Sequence, residues 1–346
     1  MAYIGKSLST GAGGYIGTGL DRAIRARPNF VINGDMQCWQ RATAATAANN
    51  SYATVDRWAF GESTDGAYTS EQSTDTPTGT GFSVKAQVTT ADTSIAAAQF
   101  AYIYQEIEAQ NLQPLQYGTS SAKTLTLSFW VKSNKTGTYT IVIVKRDSTA
   151  YFIPVEYTIS SANTWENKTI TITPTAGSTS LITASAGAIA NDNGHGIQLG
   201  FGLAWGSNYH GTSNTWSAST HYGTSNQVNW MDSTSNNFYL SQVQLEIGDL
   251  ATAFEHEDFA TTLAKCQRYF KKSSGLADDD AWTNIINVIE LGYMRTTPTI
   301  TTTVSTGANA VFTAFAGLGG APVHGVYQST ANNALAQAYI DAAAEL

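Results

Sequence analysis

The stretch TLTLSFWVK at 124–132 decides the fold class. Leu125, Leu127, Phe129 and Val131 alternate with Thr124, Thr126, Ser128 and Trp130, a period of two that gives a strand one apolar face. The same period recurs in TYTIVIVK at 138–145 and in KTITIT at 168–173, with NKTG and SSANTW between the runs as turn signals.

Working outward, further strands are predicted at 30–32, 55–60, 82–88, 99–108, 151–159, 197–204 and 238–247. Short strands, polar turns and almost no helical period indicate a two-sheet sandwich or jelly roll. In FYLSQVQLEI at 238–247, Tyr239, Val243, Leu245 and Ile247 are set against Gln242, Gln244 and Glu246. After it the period switches. Phe259, Leu263, Cys266 and Phe270 fall at helical spacing, opposite Thr261, Lys265, Arg268 and Lys271, which predicts a helix over about 258–271. Glu255, Glu257 and Asp258 at its start and Lys271 and Lys272 at its end suit the helix dipole.

The fold class read from these patterns is mainly β: a jelly-roll β-sandwich followed by one short helix and a small C-terminal β-rich unit. Residues 1–28 form an attachment segment, 29–257 the sandwich, 258–272 an association helix and 273–346 the C-terminal unit. Within the last, 273–280 reads as a linker, and strands are expected near 284–291, 298–304, 310–315, 323–328 and 334–340. A unit this small should lean on the sandwich or on neighbouring subunits.

Composition narrows the function. Charged residues are 13% of the 346, about half the usual share of about 25%. A net charge of −8 argues against a nucleic-acid partner, because phosphate binding needs a basic face. Residues 1–28 run against that balance, holding Lys6, Arg22, Arg25 and Arg27 against Asp21 alone. Such a leader can dock on an acidic protein surface or stay a solvated tail. No segment approaches the ~20 apolar residues needed to span a bilayer, and MAYIGKSLST has no signal-peptide core, so neither membrane insertion nor export by such a signal is expected. Cys38 and Cys266 are too few for a disulfide framework and lack zinc-site spacing; both read as small buried residues.

Four signatures stand in order along the chain: NGDMQCWQR at 33–41, VDRW at 55–58, QVQLEIGDLATAFEHEDF at 242–259 and LAKCQRYF at 263–270. Together they resemble the bacteriophage and prophage tail-fibre-type virion proteins with a carbohydrate-binding-module-like jelly roll. MAYIGKS, MRTTPTITTTV at 294–304 and the ending YIDAAAEL are similar to segments of phage structural proteins. The resemblance implies a virion protein present in the host cytoplasm during assembly, most simply a tail fibre subunit. Residues 1–28 would attach it to another virion protein, a tail adaptor or capsid. A homotrimer would form around the helix, and the body would hold a host-surface glycan without cutting it. A capsid or neck decoration protein and a glycan-cleaving tailspike are the rival roles. The resemblance also implies that 238–247 is the closing strand, pairing near the first. In related jelly rolls, oxygen ligands there can hold a structural calcium ion, with Asp35 and Glu246 as the candidates. A plain Asn-Gly turn at 33–34 is favoured instead, and no cofactor is otherwise expected.

Among local candidates, WGSNYHGTSNTWSASTHYGTSNQVNWMD at 205–232 is the most distinctive. Trp205, Tyr209, Trp216, Tyr222 and Trp230 stand among short polar residues, a makeup suited to stacking on sugar rings and bonding their hydroxyls. Aromatic loops also plug sandwich edges and interfaces, and the residues alone favour that role. Trp216 and Tyr222 are the first contacts to test for binding. Gly11, Gly14 and Gly17 spell a dinucleotide-like GxxGxxG, but no buried strand precedes them and no βα alternation follows. Glycoside hydrolysis needs two opposed carboxylates. Glu106/Glu108, Glu255/Glu257/Asp258 and Asp278–Asp280 read instead as strand edge, helix start and linker. VDRW reads as a sandwich edge with Asp56 and Arg57 paired and Trp58 buried. No catalytic residue is predicted.

Overall fold

The computed structural model describes residues 29–79, 81–276, 286–296, 298–304, 310–315, 323–329 and 337–346. The segment 1–28 expected to attach, with Lys6, Arg22, Arg25 and Arg27, its glycine string and Asp278–Asp280 lie outside the described residues.

The strands follow as β1 (Ala44–Thr46), β2 (Ala59–Glu62), β3 (Ala67–Ser73), β4 (Ser83–Thr90), β5 (Phe100–Glu108), β6 (Leu125–Ser133), β7 (Gly137–Lys145), β8 (Tyr151–Ile159), β9 (Glu166–Ile172), β10 (His195–Trp205) and β11 (Asn237–Ile247). They form a six-stranded sheet, β1-β3-β4-β11-β6-β9, and a five-stranded sheet, β2-β5-β10-β7-β8, antiparallel throughout. This is a mainly β, jelly-roll sandwich. The alternation in β6 fills its core: Leu125, Leu127, Phe129 and Val131 are fully buried, and Phe201, Ile103 and Ile141 meet them from the other sheet. The short β1 and β3 carry too weak a pattern to be read from sequence. Among the described residues no helix is long and apolar enough to cross a membrane.

The closing strand departs from the simple alternation. Gln242 takes φ 49° and the register against β6 shifts between Ser241 and Gln244. This bulge inserts one residue, so the inward set is Phe238 and Leu240 before it and Val243 and Leu245 after it. Tyr239, expected with the inward set, therefore lies outside against Trp165, with the Lys132 ammonium 4.3 Å above its ring.

The bulge is also where the first signature docks. Val243 N donates to Gly34 O at 2.9 Å, and a Cβ on residue 34 would collide with the Val243 carbonyl, so only glycine fits. Asn33, at φ 57°, accepts from the backbone N–H of Gln37 and Cys38 and donates to the carbonyls of Cys38 and Asp56. Residues 30–32 are a bend rather than the expected strand, yet Phe30 N still donates to Leu245 O at 2.9 Å. Likewise 55–58 is a turn with Arg57 at φ 73°, and β2 begins only at Ala59.

Helix α1 (Phe259–Gln267) is shorter than expected. The Asp258 carboxylate caps it by accepting from Thr261 N at 3.0 Å. The chain then turns at Arg268 and Tyr269 into β12 (Phe270–Leu276), so residues 273–276 are strand rather than linker. The expected apolar stripe is corrected with it. Phe259 is 57% exposed, Leu263 is half-buried and Phe270 is buried from a strand; the buried face is Thr262, Cys266 and Tyr269. This face wins because polar partners wait beneath it: Cys266 meets Cys38, and the Tyr269 ring lies 3.4 Å from the Arg57 guanidinium. The helix packs on its own sandwich, with Phe259 exposed and Leu263 half-buried.

The C-terminal strands are β13 (Ile286–Gly292), β14 (Thr299–Val304), β15 (Ala310–Phe315), β16 (Val323–Ser329) and β17 (Gln337–Ala343), paired as β12-β17-β14 and β13-β16-β15. The tail returns to the sandwich. Ala344 N donates to Tyr269 O, Arg295 donates to the carbonyls of Asn193, Ala344 and Glu345, and Glu345 pairs with Arg41 and Arg57.

Candidate functional site

Strand β5 runs Phe100-Ala-Tyr102-Ile-Tyr104-Gln-Glu106-Ile-Glu108. Ala101, Ile103 and Ile107 face the core, and Tyr102, Tyr104 and Glu106 occupy the outer face of the five-stranded sheet. The register explains why large rings lie flat there. Tyr102 sits between Gly61 and Gly202, and Tyr104 between Ala59 and Gly200. A Cβ on Gly200 would press on Val142 at 2.9 Å and on the Tyr102 ring at 3.4 Å. Glycine in these strand interiors clears a surface for aromatics.

The resulting floor is continuous. Tyr102 and Tyr104 stack at 4.7 Å, Tyr102 meets Trp205 at 5.0 Å, and Trp205 stacks on Tyr222 at 5.1 Å. Tyr52, Phe100 and Tyr209 flank it half-buried. The Trp205 indole N–H, the Gln227 Nε2 and the Thr224 hydroxyl are buried without hydrogen-bond partners.

Beside the rings lies a charged corner. Glu106, 2% exposed, accepts from Gln198 Nε2 at 2.7 Å and pairs with Arg146 at 3.1 Å, both through Oε1. Its Oε2 has no hydrogen bond and faces His195 Nδ1 at 3.5 Å; Gln198 Oε1 is unpaired too. Arg146 and His195 reach solvent. Burial lowers the Arg146 guanidinium's affinity for its proton, but Glu106 and the tyrosines outweigh it and hold the pKa above the usual value. Burial pushes the hydroxyls of Tyr102, Tyr104 and Tyr222 upward, so they remain neutral donors. Neutral phenols, buried carboxylate and amide acceptors without hydrogen bonds and an exposed guanidinium match a ligand with an apolar ring face and a polar rim.

The structure divides the predicted aromatic loop. Trp205, Tyr209 and Tyr222 join the platform. Trp216 and Trp230 do not: they are 1% and 0% exposed, sit in the main core, and donate their indole N–H to Thr173 O and Asn237 O. Alternation was the governing physics; the loop's tryptophans cap the sandwich end, where a large ring fills more volume than any other side chain. Trp216→Ala should therefore destabilise the fold by about 3 kcal/mol, read as a lowered urea midpoint, whereas Tyr222→Ala should leave that midpoint within about 1 kcal/mol.

Glu106 and Glu108, read as strand edge, are instead buried on an inner strand of the sheet, and Glu108 pairs with Arg268 at 2.9 Å. Sequence reasoning missed Tyr102, Tyr104, Glu106, Arg146, His195 and Gln198. The Tyr-x-Tyr-x-Glu alternation and the Gly200-x-Gly202 spacing opposite it carried the signal.

The calcium candidates do not fit a shared ion. Glu246 is fully buried, and its carboxylate accepts from Thr252 N and Oγ1 and from Gln244 Nε2. Asp35 lines a separate cleft of about 70 Å³ with Glu255 and Glu257. Neither belongs to a cluster of three ligand side chains among the described residues; the cluster found there is Cys38, Asp56 and Cys266.

The fold and this face define the class: an antiparallel jelly-roll sandwich with an aromatic and charged patch on one sheet. No protein-family model and no curated protein sequence matches the chain. Solved structures similar to it include the enzymatically active domain of tailspike protein 4 of bacteriophage CBA120, at 12% identity and TM-score 0.31, covering 63% of this chain and 21% of that one. A family 11 carbohydrate-binding module from Clostridium thermocellum, solved with a β-1,3-1,4-mixed-linked tetrasaccharide, is similar at 12% identity and TM-score 0.31, over 61% of this chain and 99% of that one. The CBM22-1-GH10 modules of a C. thermocellum xylanase follow at 13% identity and TM-score 0.28, over 67% and 30%. The chain thus spans about a fifth of the tailspike chain it resembles.

Proposed function

We propose that the protein is a virion subunit of tail-fibre type that attaches non-covalently to a host-surface glycan through the outer face of its five-stranded sheet. The observation that carries the binding half is the pairing of an aromatic floor with two unpaired buried acceptors, Glu106 Oε2 and Gln198 Oε1. Sugar hydroxyls are the donors such acceptors lack, and sugar ring faces suit tyrosine and tryptophan. The virion half rests on the resemblance of the four signatures. Residues 1–28 would attach to a tail adaptor or capsid protein, and three copies would turn one shallow patch into an avid array. The role is binding rather than cleavage, since Glu106 is paired with a cation and no second carboxylate is opposed to it among its contacts.

The test is titration of purified protein with host surface polysaccharide. Glu106→Gln and Arg146→Ala should each weaken binding by about 10–100-fold, the worth of one charge-assisted bond, while circular dichroism stays unchanged. Wild-type affinity in both folded variants would remove the face from the argument. Reducing sugar ends released by the wild-type protein would overturn the non-enzymatic role.

A further inference from the structure

The chain's cysteines, far apart in sequence, meet in space. Cys38 lies in the segment that opens the sandwich, and Cys266 on the last turn of α1. Their sulfur atoms and a carboxylate oxygen of Asp56 all lie within 4.8 Å of one another. Both thiols are free, with exposures of 1% and 0%. Cys38 Sγ donates to Asp56 Oδ2 at 3.1 Å, so a proton acceptor is already in contact with one thiol.

We propose that Cys38 and Cys266 are a paired thiol site that closes to an intramolecular disulfide, stapling α1 to the segment that opens the sandwich. A disulfide links side chains whose sulfurs approach to about 2 Å, a closure that a small slide of α1 along its docking face supplies. The oxidant is a small-molecule disulfide such as oxidised glutathione. Cys38 passes its proton to Asp56, and the thiolate attacks one glutathione sulfur. That breaks the glutathione S–S bond, releases one reduced glutathione, which takes up the proton, and leaves a mixed disulfide. The Cys266 sulfur then attacks Cys38 Sγ, displacing the second glutathione, which leaves with the Cys266 proton. The protein loses two electrons and two protons, and one glutathione disulfide becomes two thiols. Burial raises the Asp56 pKa, which makes it the better base; contact with the Cys38 thiol and burial hold Cys266 well above its ordinary value. With both thiols enclosed, exchange requires α1 to be undocked, so the bond forms during folding or helix opening rather than in the closed protein.

A metal ion is the competing occupant of this cluster, and the surrounding charge disfavours it. Arg41 pairs with Asp56 Oδ1 at 3.2 Å, Gln40 and Cys38 bond Oδ2, and the Arg57 guanidinium acts on Cys266. A divalent cation would enter against two fixed positive charges with three ligands, one fewer than a closed zinc site uses.

The experiment refolds the full chain with either dithiothreitol or oxidised glutathione, then alkylates it in denaturant. In the oxidised sample both thiols should be protected, the intact mass should lie about 2 Da below that of the unalkylated reduced chain, and a non-reducing digest should contain the Cys38–Cys266 peptide pair. Its Tm should exceed that of the reduced sample by about 5–10 °C, a difference that Cys266→Ser and, separately, Cys38→Ser abolish. Two alkylated thiols after refolding in oxidised glutathione would overturn the proposal. So would retained thiols with one zinc bound per chain when zinc chloride is supplied. Both readouts use the unmodified protein, so the proposal stays testable if either serine variant fails to fold.

Discussion

Glu345→Ala is expected to cost about 3–5 kcal/mol of stability, although the residue stands next to last in the chain. Its carboxylate binds two arginines at once, Arg41 at 2.8 Å and Arg57. Arg57 is 1% exposed, and with Glu345 removed its guanidinium keeps only the Tyr269 ring face and a 2.6 Å bond to Glu106 O. A buried charge stripped of its counter-ion carries its full desolvation cost, whereas exposed pairs are worth under about 1 kcal/mol. Glu345→Gln should lie between, keeping hydrogen bonds and losing charge. Equilibrium urea unfolding of the three proteins checks this. An Ala variant within about 0.5 kcal/mol of wild type would mean that the tail does not dock as described. Because Arg57 also holds the carbonyl of Glu106, the Ala variant should weaken glycan binding as well, linking the tail to the proposed site.

Trp58→Ala should cost about 3–5 kcal/mol, the usual range for emptying a tryptophan site in a packed core. The ring is fully buried, 6.1 Å from Phe201 on the central strand of the site sheet, and its indole N–H donates to Asn33 O at 3.1 Å. Removing it opens a cavity and takes one of two donors from the Asn33 carbonyl, which Met36 N still reaches at 3.2 Å. The loss should be smaller for Trp58→Phe, which refills most of the volume without the donor. Thermal unfolding of both variants decides it: equal destabilisation would assign the whole effect to the hydrogen bond, and none at all would remove Trp58 from the architecture.

Much of the fold was legible because strand period survives in a linear string. Leu125 to Val131 read correctly as one buried face, and the closing strand was placed to within a residue. Tyr239 was misplaced because a bulge at Gln242 inserts one residue into the alternation, and nothing in QVQ marks a positive φ. The helix stripe failed for a different reason. Phe259 and Phe270 are the more apolar choices, but Cys266 and Tyr269 have partners, Cys38 and Arg57, that lie more than two hundred residues away in sequence. At the candidate site, aromatic density pointed to 205–232, and three of its five rings do join the platform. Trp216 and Trp230 were lost to the core because composition cannot tell a ring facing outward from one filling the sandwich end.

By itself, then, the sequence determined the fold class of this protein: antiparallel strands, polar turns and scarce charge. Those depend on local period and local chemistry, which neighbouring residues carry among themselves. Only the tertiary structure decided which residues act together. The Tyr102–Tyr104–Trp205–Tyr222 floor, the Glu106–Gln198–Arg146 corner, the Glu345 latch and the Cys38–Cys266 pair each join residues far apart in sequence. Their meeting depends on strand order and register, which long-range packing sets and no window of sequence contains.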